Sequence, residues 1–196
     1  MSDSIKIDQY ITKFLPVYIF DSDETILHQD TIYTVTWTDN KILYISYYIL
    51  FTLNGEISKC PCVYSSIHKY DVEWITVSLD LETKNINWIY YFQHGSEGKH
   101  IFPDDIEYFN DTYRPIVYVA LNSHASYHKS GVIFRCLGLA NDRANGQGEF
   151  WKPSITKDIE YMPEPEKTSK LKSKWFKNVP KFDYPWYKRY FCICWK

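Results

Sequence analysis

The stretch His68-Lys69-Tyr70-Asp71-Val72-Glu73 holds the densest set of groups able to do chemistry. Side chains alternate along a strand, so Asp71 and Glu73 share a face. The next residues on that face, Ile75, Val77 and Leu79, are core residues in type. Two carboxylates therefore begin the buried face of a strand. Burying ionised carboxylates without partners costs roughly several kcal/mol each. They need a cation, hydrogen-bond donors or an opening to water. His68 is expected in the loop before the strand, from where it can fold back to the same pocket. One arrangement is a metal site of His68, Asp71 and Glu73. In another, the acids pair with Arg114 or a lysine and hold a loop. In a third, Trp74 faces the core and both acids turn outward.

Other histidines fall at expected strand ends. His94 follows the strand 85–93 and precedes Gly95, His124 follows the apolar run 115–121, and His128 comes shortly after. Imidazole with carboxylates suits Zn, Mn, Fe or Ni, whereas carboxylates with water suit Mg or Ca. The sequence has no Gly-x-Ser-x-Gly elbow, no phosphate loop and no His-Glu-x-x-His. Gly146-Gln147-Gly148 is too short to signal a nucleotide. Cys60, Cys62, Cys136, Cys192 and Cys194 make an odd set, and Cys-x-Cys is not the usual zinc-finger spacing. Reduced thiols in a cytosolic setting are expected.

The elements that must position these groups are mostly strands. Apolar residues at Ile7, Ile11, Phe14 and Leu15 predict a helix over 4–15, closed by Pro16. Strands are expected at 17–20, 31–38, 41–53, 71–80, 85–93 and 115–121. Asn54-Gly55 suits a tight turn. Loops are expected at 55–70 and 138–149, an irregular surface stretch at 152–166, a helical turn at 104–109 and a short basic helix at 168–177. Strands with turn signals between them predict an antiparallel, jelly-roll-like β-sandwich with a few short peripheral helices.

The chain has 196 residues, one domain's worth, with the core expected over about 16–153. Charge is uneven. Residues 167–196 carry nine Lys/Arg against one acid, while the rest carries 13 basic and 23 acidic residues. A basic aromatic extension can dock on the acidic body, associate with a second copy or meet a membrane surface. The sequence pI of about 6.3 argues against a dedicated nucleic-acid binder. No apolar stretch approaches membrane-spanning length and no signal-peptide core follows Met1, so a cytoplasmic location is expected.

Two family resemblances sharpen the reading. The run Arg114-Pro115-Ile116-Val117-Tyr118-Val119-Ala120-Leu121-Asn122-Ser123-His124-Ala125-Ser126-Tyr127 resembles a block of the vacuolar protein sorting sixty-two family. Asn141-Asp142-Arg143 with Gly146, Gly148 and Trp151 is similar to its following block, and Tyr70 to Val77 to one of its strands. The likeness covers roughly residues 44–153, and that family has no settled activity. More distantly, His68, Asp71 and Glu73 match the His-x-x-Asp-x-Glu spacing in the hallmark of the necrosis- and ethylene-inducing-peptide-like cytolysins. His94-Gly95 is similar to a later His-Gly step of theirs.

The second resemblance implies a divalent-cation site at one end of the sandwich, with a sugar headgroup bound through the cation. It implies His68, Asp71, Glu73 and His94 as ligands, with Asn54 nearest to an upstream Asp ligand. Ca or Mg is the first expectation, Zn or Mn the second. His124, Tyr70, Trp74, Tyr127 and Asp142 would surround the bound molecule. The function expected is a metal-containing binding module for a polar ligand such as a sugar, phosphate or lipid headgroup. A metal-assisted hydrolase, with Glu73 or His124 as base, is one alternative. A structural or virion-associated interaction protein is another.

Overall fold

The computed structural model describes residues 2–25, 28–55, 68–93, 98–135, 138 and 141–158, and the side chains of all of these except 2–6 and 68–70. Two long runs without Gly or Pro form its centre: β3 (Ile42–Asn54) and β4 (His68–Asp80). They pair antiparallel, with Tyr47 opposite Ile75, Ile49 opposite Glu73 and Phe51 opposite Asp71. Directly opposed residues share a face. One face of the pair is therefore Ile45, Tyr47, Ile49, Phe51, Ile75 and Val77, all almost fully buried.

On either side of this pair stand β2 (Thr31–Asp39), β5 (Ile86–Tyr91), β6 (Lys99–Ile101) and β12 (Ile155–Asp158). They complete a six-stranded sheet in the order β12-β2-β3-β4-β5-β6. A four-stranded sheet holds β1 (Val17–Ile19), β7 (Ile116–Val119), β8 (Ser126–Tyr127) and β11 (Phe150–Trp151), in the order β11-β1-β7-β8. A ribbon of β9 (Gly131–Ile133) and β10 (Asp142–Ala144) stands apart from both. The main core joins the two sheets: Tyr18, Val117 and Val119 of the small one share a cluster with the apolar face of the large one. Helix α1 (Ser2–Lys13) covers one margin. Phe14 and Leu15, just beyond its end, are buried in that core, and the Tyr47 hydroxyl donates to the carbonyl of Ile11.

The result is the expected β-sandwich, with two departures from antiparallel pairing: β1 runs parallel to β7 and β12 parallel to β2. The differences from the sequence expectation lie where patterning is weakest. β4 begins at His68, so the loop before it ends earlier than residue 70. Asn54 lies in register with His68 rather than in a tight turn. β10 lies inside a stretch expected to be loop, and β12 inside one expected to be irregular. Both are short, and β12 is exposed throughout, so neither carries an apolar alternation to read. The helical turn near residue 104 is a 3₁₀ turn, Pro103–Asp105. The five cysteines, the segment 167–196 and the helix expected at 168–177 lie outside the described residues. No helix among the described residues is long and apolar enough to cross a membrane.

The edge of the small sheet depends on one close approach. Gly148 donates its N–H to the carbonyl of Phe20, and a Cβ at this position would stand 2.2 Å from the carbonyl oxygen of Asp21. Backbone cannot yield there as a flexible side chain would. Gly148→Ala is expected to destabilise the protein by about 1–3 kcal/mol, read as a lower urea midpoint with unchanged slope.

Candidate functional site

Phe51 and Ile49 end the apolar part of β3, and the residues opposite them are Asp71 and Glu73. The carboxylates thus begin the core face of β4, as alternation requires. What meets them comes from the turn after β7. There the His124 N–H donates to the carbonyl of Ala120, and that of Ala120 to the carbonyl of Ala125. Asn122 and His124 both take left-handed backbone angles, with φ of 62° and 53°. Asn and His are enriched among non-glycine residues in this region, which still carries a steric cost.

The turn drives His124 into the core, where its ring stacks on Phe51 at 3.8 Å and 6°. The side chain has no exposed surface. Its Nδ1–H donates to Asp71 Oδ2 at 2.9 Å, and its Nε2 stands 3.6 Å from Glu24 Oε2. Glu24 Oε2 accepts the backbone N–H of Asn122 at 2.7 Å. The Asn122 carbonyl in turn accepts the N–H of Gly55 at 2.9 Å. Loop, strand end and turn are therefore locked to one another around a buried imidazole.

A second network adjoins the first. Asp142, on β10, is buried. It accepts from Ser123 Oγ at 2.9 Å and from the Tyr127 hydroxyl at 2.5 Å. Arg135 Nη1 stands 3.6 Å from the same carboxylate. Burial, and then the Asp142 charge, push the Tyr127 phenol well above its ordinary range. Asp21 receives Arg143 through two hydrogen bonds, at 3.0 and 2.7 Å, and Arg143 also reaches Asp23. This bidentate clamp ties the ribbon to the segment after β1.

Glu73 sits between the networks and belongs to neither. Its residue is only 5% exposed, and its Oε2 is buried with no hydrogen-bond partner among the described residues. Burial pushes its carboxyl well above the usual range. The charges of Asp71 and Asp142 push it further and Arg135 pulls it back. Without a counter-charge its protonated form is favoured to higher pH than in an ordinary carboxyl group. With one, it is a ready carboxylate ligand. Among the described residues, no three His, Cys, Asp or Glu side chains converge in a metal-ligating arrangement.

The structure brings Asp71, Glu73, His124, Tyr127 and Asp142 into one region. Asn54 ends β3 beside it and is buried. Trp74 stands on the opposite face of β4, its ring on Phe92 at 3.5 Å and near Tyr48, within a separate buried cluster. The strand's alternation thus parts it from the acids. His68 is a strand residue rather than a loop residue, in register with Asn54. The side chains of His68 and Tyr70 lie outside the described residues, as does all of His94. Arg114 does not pair with the acids. It donates to the carbonyls of Leu15, Pro16 and Pro153. Sequence reasoning missed Glu24 and Asp21. Their one signal is the acid-rich run Asp21-Ser22-Asp23-Glu24, which reads equally well as a solvated turn.

Comparison with solved structures places this architecture among known ones. A protein described as "Toxin fold for microbial attack and plant defense" matches with a TM-score of 0.51 and 14% identity, over 82% of this chain and 76% of that chain. "NLPPya in complex with mannosamine" matches with a TM-score of 0.50 and 15% identity, over 83% and 77%. At such identities the likeness concerns the fold. No curated protein sequence matches the chain. The sequence model described as vacuolar protein sorting-associated protein 62 matches residues 11–151. That span takes in β1 to β11, including β1 and β2, which the sequence blocks quoted above do not reach. The chain belongs to the vacuolar protein sorting-associated protein 62 family.

Proposed function

We propose that this chain is a binding module for a polar, sugar-like molecule, with a divalent cation as part of the site. The ligand is taken at the end of the sandwich where Asp71 and Glu73 begin the core face of β4. One observation carries this reading: the buried Oε2 of Glu73, without a hydrogen-bond partner among the described residues, beside the charges of Asp71 and Asp142. A carboxylate in that position costs stability when ionised and alone, and a cation removes the cost. Oxygen donors of this kind fit Ca²⁺ or Mg²⁺. Asp71 and Glu73 would hold the ion, with further donors from His68, His94 or water. The bound ion would supply a charge that anchors hydroxyl oxygens of the ligand.

The chain's own residues do the positioning. The hydrogen bond from His124 fixes Asp71, and Phe51 fixes His124. Ser123 and Tyr127 hold Asp142. The structural neighbour in complex with mannosamine supports a sugar-like ligand. With no exposed surface, His124 offers no support for a role as a hydrolytic base.

Two outcomes are expected. Ca²⁺ or Mg²⁺ at about 100 times its Kd should stabilise chelator-treated protein by about 2.7 kcal/mol, seen as a rise in Tm. Glu73→Gln should abolish that rise while still folding. No rise with Ca²⁺, Mg²⁺, Mn²⁺ or Zn²⁺, and no metal in the purified protein by mass spectrometry, would remove the cation from the account. The second outcome concerns pH. Between the ordinary value of 4.5 and its raised folded value, Glu73 keeps its proton in the folded chain and loses it in the unfolded one. The folded state then binds more protons, so stability falls as pH rises, by up to about 1.4 kcal/mol per pH unit. Glu73→Gln in chelator should remove this component of the slope in denaturation curves taken across that range.

A further inference from the structure

Beside the carboxylate network lies a cavity of about 320 Å³, walled by residues at the end of β5, at the start of β6 and along the segment from β8 to β9. Its polar walls include Gln93, Lys99, Tyr127, His128, Lys129 and Arg135, and no described residue lining it is acidic. That is unexpected in a body where, outside residues 167–196, acids outnumber bases by 23 to 13. The fold places each basic side chain. Lys99 opens β6 opposite Tyr91, His128 and Lys129 follow β8, and Arg135 follows β9. The Gln93 side-chain amide donates to the carbonyl of Ser126, joining the two walls.

The two lysine charges in the cavity are poorly compensated among the described residues. Lys129 stands 3.6 Å from Asp105, with both side chains more than half exposed, a pairing worth little. Arg135 stands 3.6 Å from Asp142 and adds its guanidinium to the same wall. The Nδ1 of His128 is buried and has no hydrogen-bond partner among the described residues.

We propose that this cavity binds a phosphate group, carried by a small ester or a headgroup, through Lys99, His128, Lys129 and Arg135. Phosphate brings up to two negative charges and several strong acceptor oxygens, which match clustered cationic donors. The volume takes a phosphate with a small organic substituent. Phe134, 79% exposed, and Val132, 54% exposed, also line the cavity. An apolar rim around a cationic pocket suits a phosphate that reaches it from a lipid surface as well as one in solution. The site stands on this cavity and not on the cation reading, so its test runs in chelator and the two fail separately.

The experiment compares the full chain with Lys99→Gln/Lys129→Gln and with His128→Asn. All three substituted side chains lie outside the hydrogen-bond networks of the carboxylate site. The probes are glycerol 3-phosphate, followed by calorimetry and histidine NMR, and phosphatidylcholine vesicles with or without phosphatidic acid, followed by co-sedimentation. Saturable binding is expected, with a shift of the His128 imidazole resonances for the soluble probe. Removing these charge-assisted contacts should weaken it about tenfold or more in each variant. Binding of glycerol 3-phosphate identifies a soluble ester as sufficient. Binding only to vesicles that contain phosphatidic acid, lost in both variants, identifies the lipid source. Two results overturn the proposal: no binding to either probe, or binding that falls with the lysines but is unchanged in His128→Asn, which is general surface attraction.

Discussion

The burial of two carboxylates at the head of a core strand is the constraint on which the rest of this site depends. Asp71 and Glu73 share the face of Ile75, Val77 and Leu79, so the strand cannot bury its apolar half without drawing the acids toward the interior. A one-residue slip would free them but would turn the whole apolar set to the other face. The protein keeps the register and treats the two acids differently. Asp71 is given the Nδ1–H of His124, while Glu73 is left without a partner among the described residues. That difference separates an acid already hydrogen-bonded within the fold from one with no partner among the described residues.

The means of satisfying Asp71 is costly in backbone terms and is spread over distant parts of the chain. His124 must enter from a turn with two left-handed non-glycine residues, lie flat on Phe51 and keep Glu24 at its far nitrogen. Asn122 joins the same turn to Glu24 and to Gly55. Asp142 arrives on a ribbon that Arg143 clamps to Asp21. Backbone strain held by surrounding contacts of this kind marks places where geometry matters more than stability. The acidic network and the cationic cavity meet at Tyr127 and Arg135, which belong to both. One end of the sandwich therefore presents opposite charges to whatever enters it.

Much of this was readable from residue pattern. Alternation through 71–79 set the face of both acids, and the unbroken run after Lys41 set the partner strand. The Asn-Ser-His-Ala-Ser-Tyr block, met as a family resemblance, drew attention to His124 and Tyr127 at the end of an apolar strand. What escaped was long-range or unpatterned. Glu24 meets His124 across about a hundred positions of sequence, and no local spacing encodes that contact. Strands of two to four residues, such as β10 and β12, are too short for a period to show. Trp74 directly follows Glu73 in sequence and is an expected contact of the ligand. The same alternation that brings the acids together puts its ring on the other side of the sheet, against Phe92.

The account turns on the state of one carboxyl group. Its most direct test is a carbon-13 NMR titration of the Glu73 side chain, in chelator and again with Ca²⁺ or Mg²⁺. The expected result is a carboxyl that stays protonated well above 4.5 in chelator and ionises when the cation is added. A Glu73 that titrates near 4.5 and does not respond to either cation would contradict the claim that the fold holds this acid in reserve for a charged ligand.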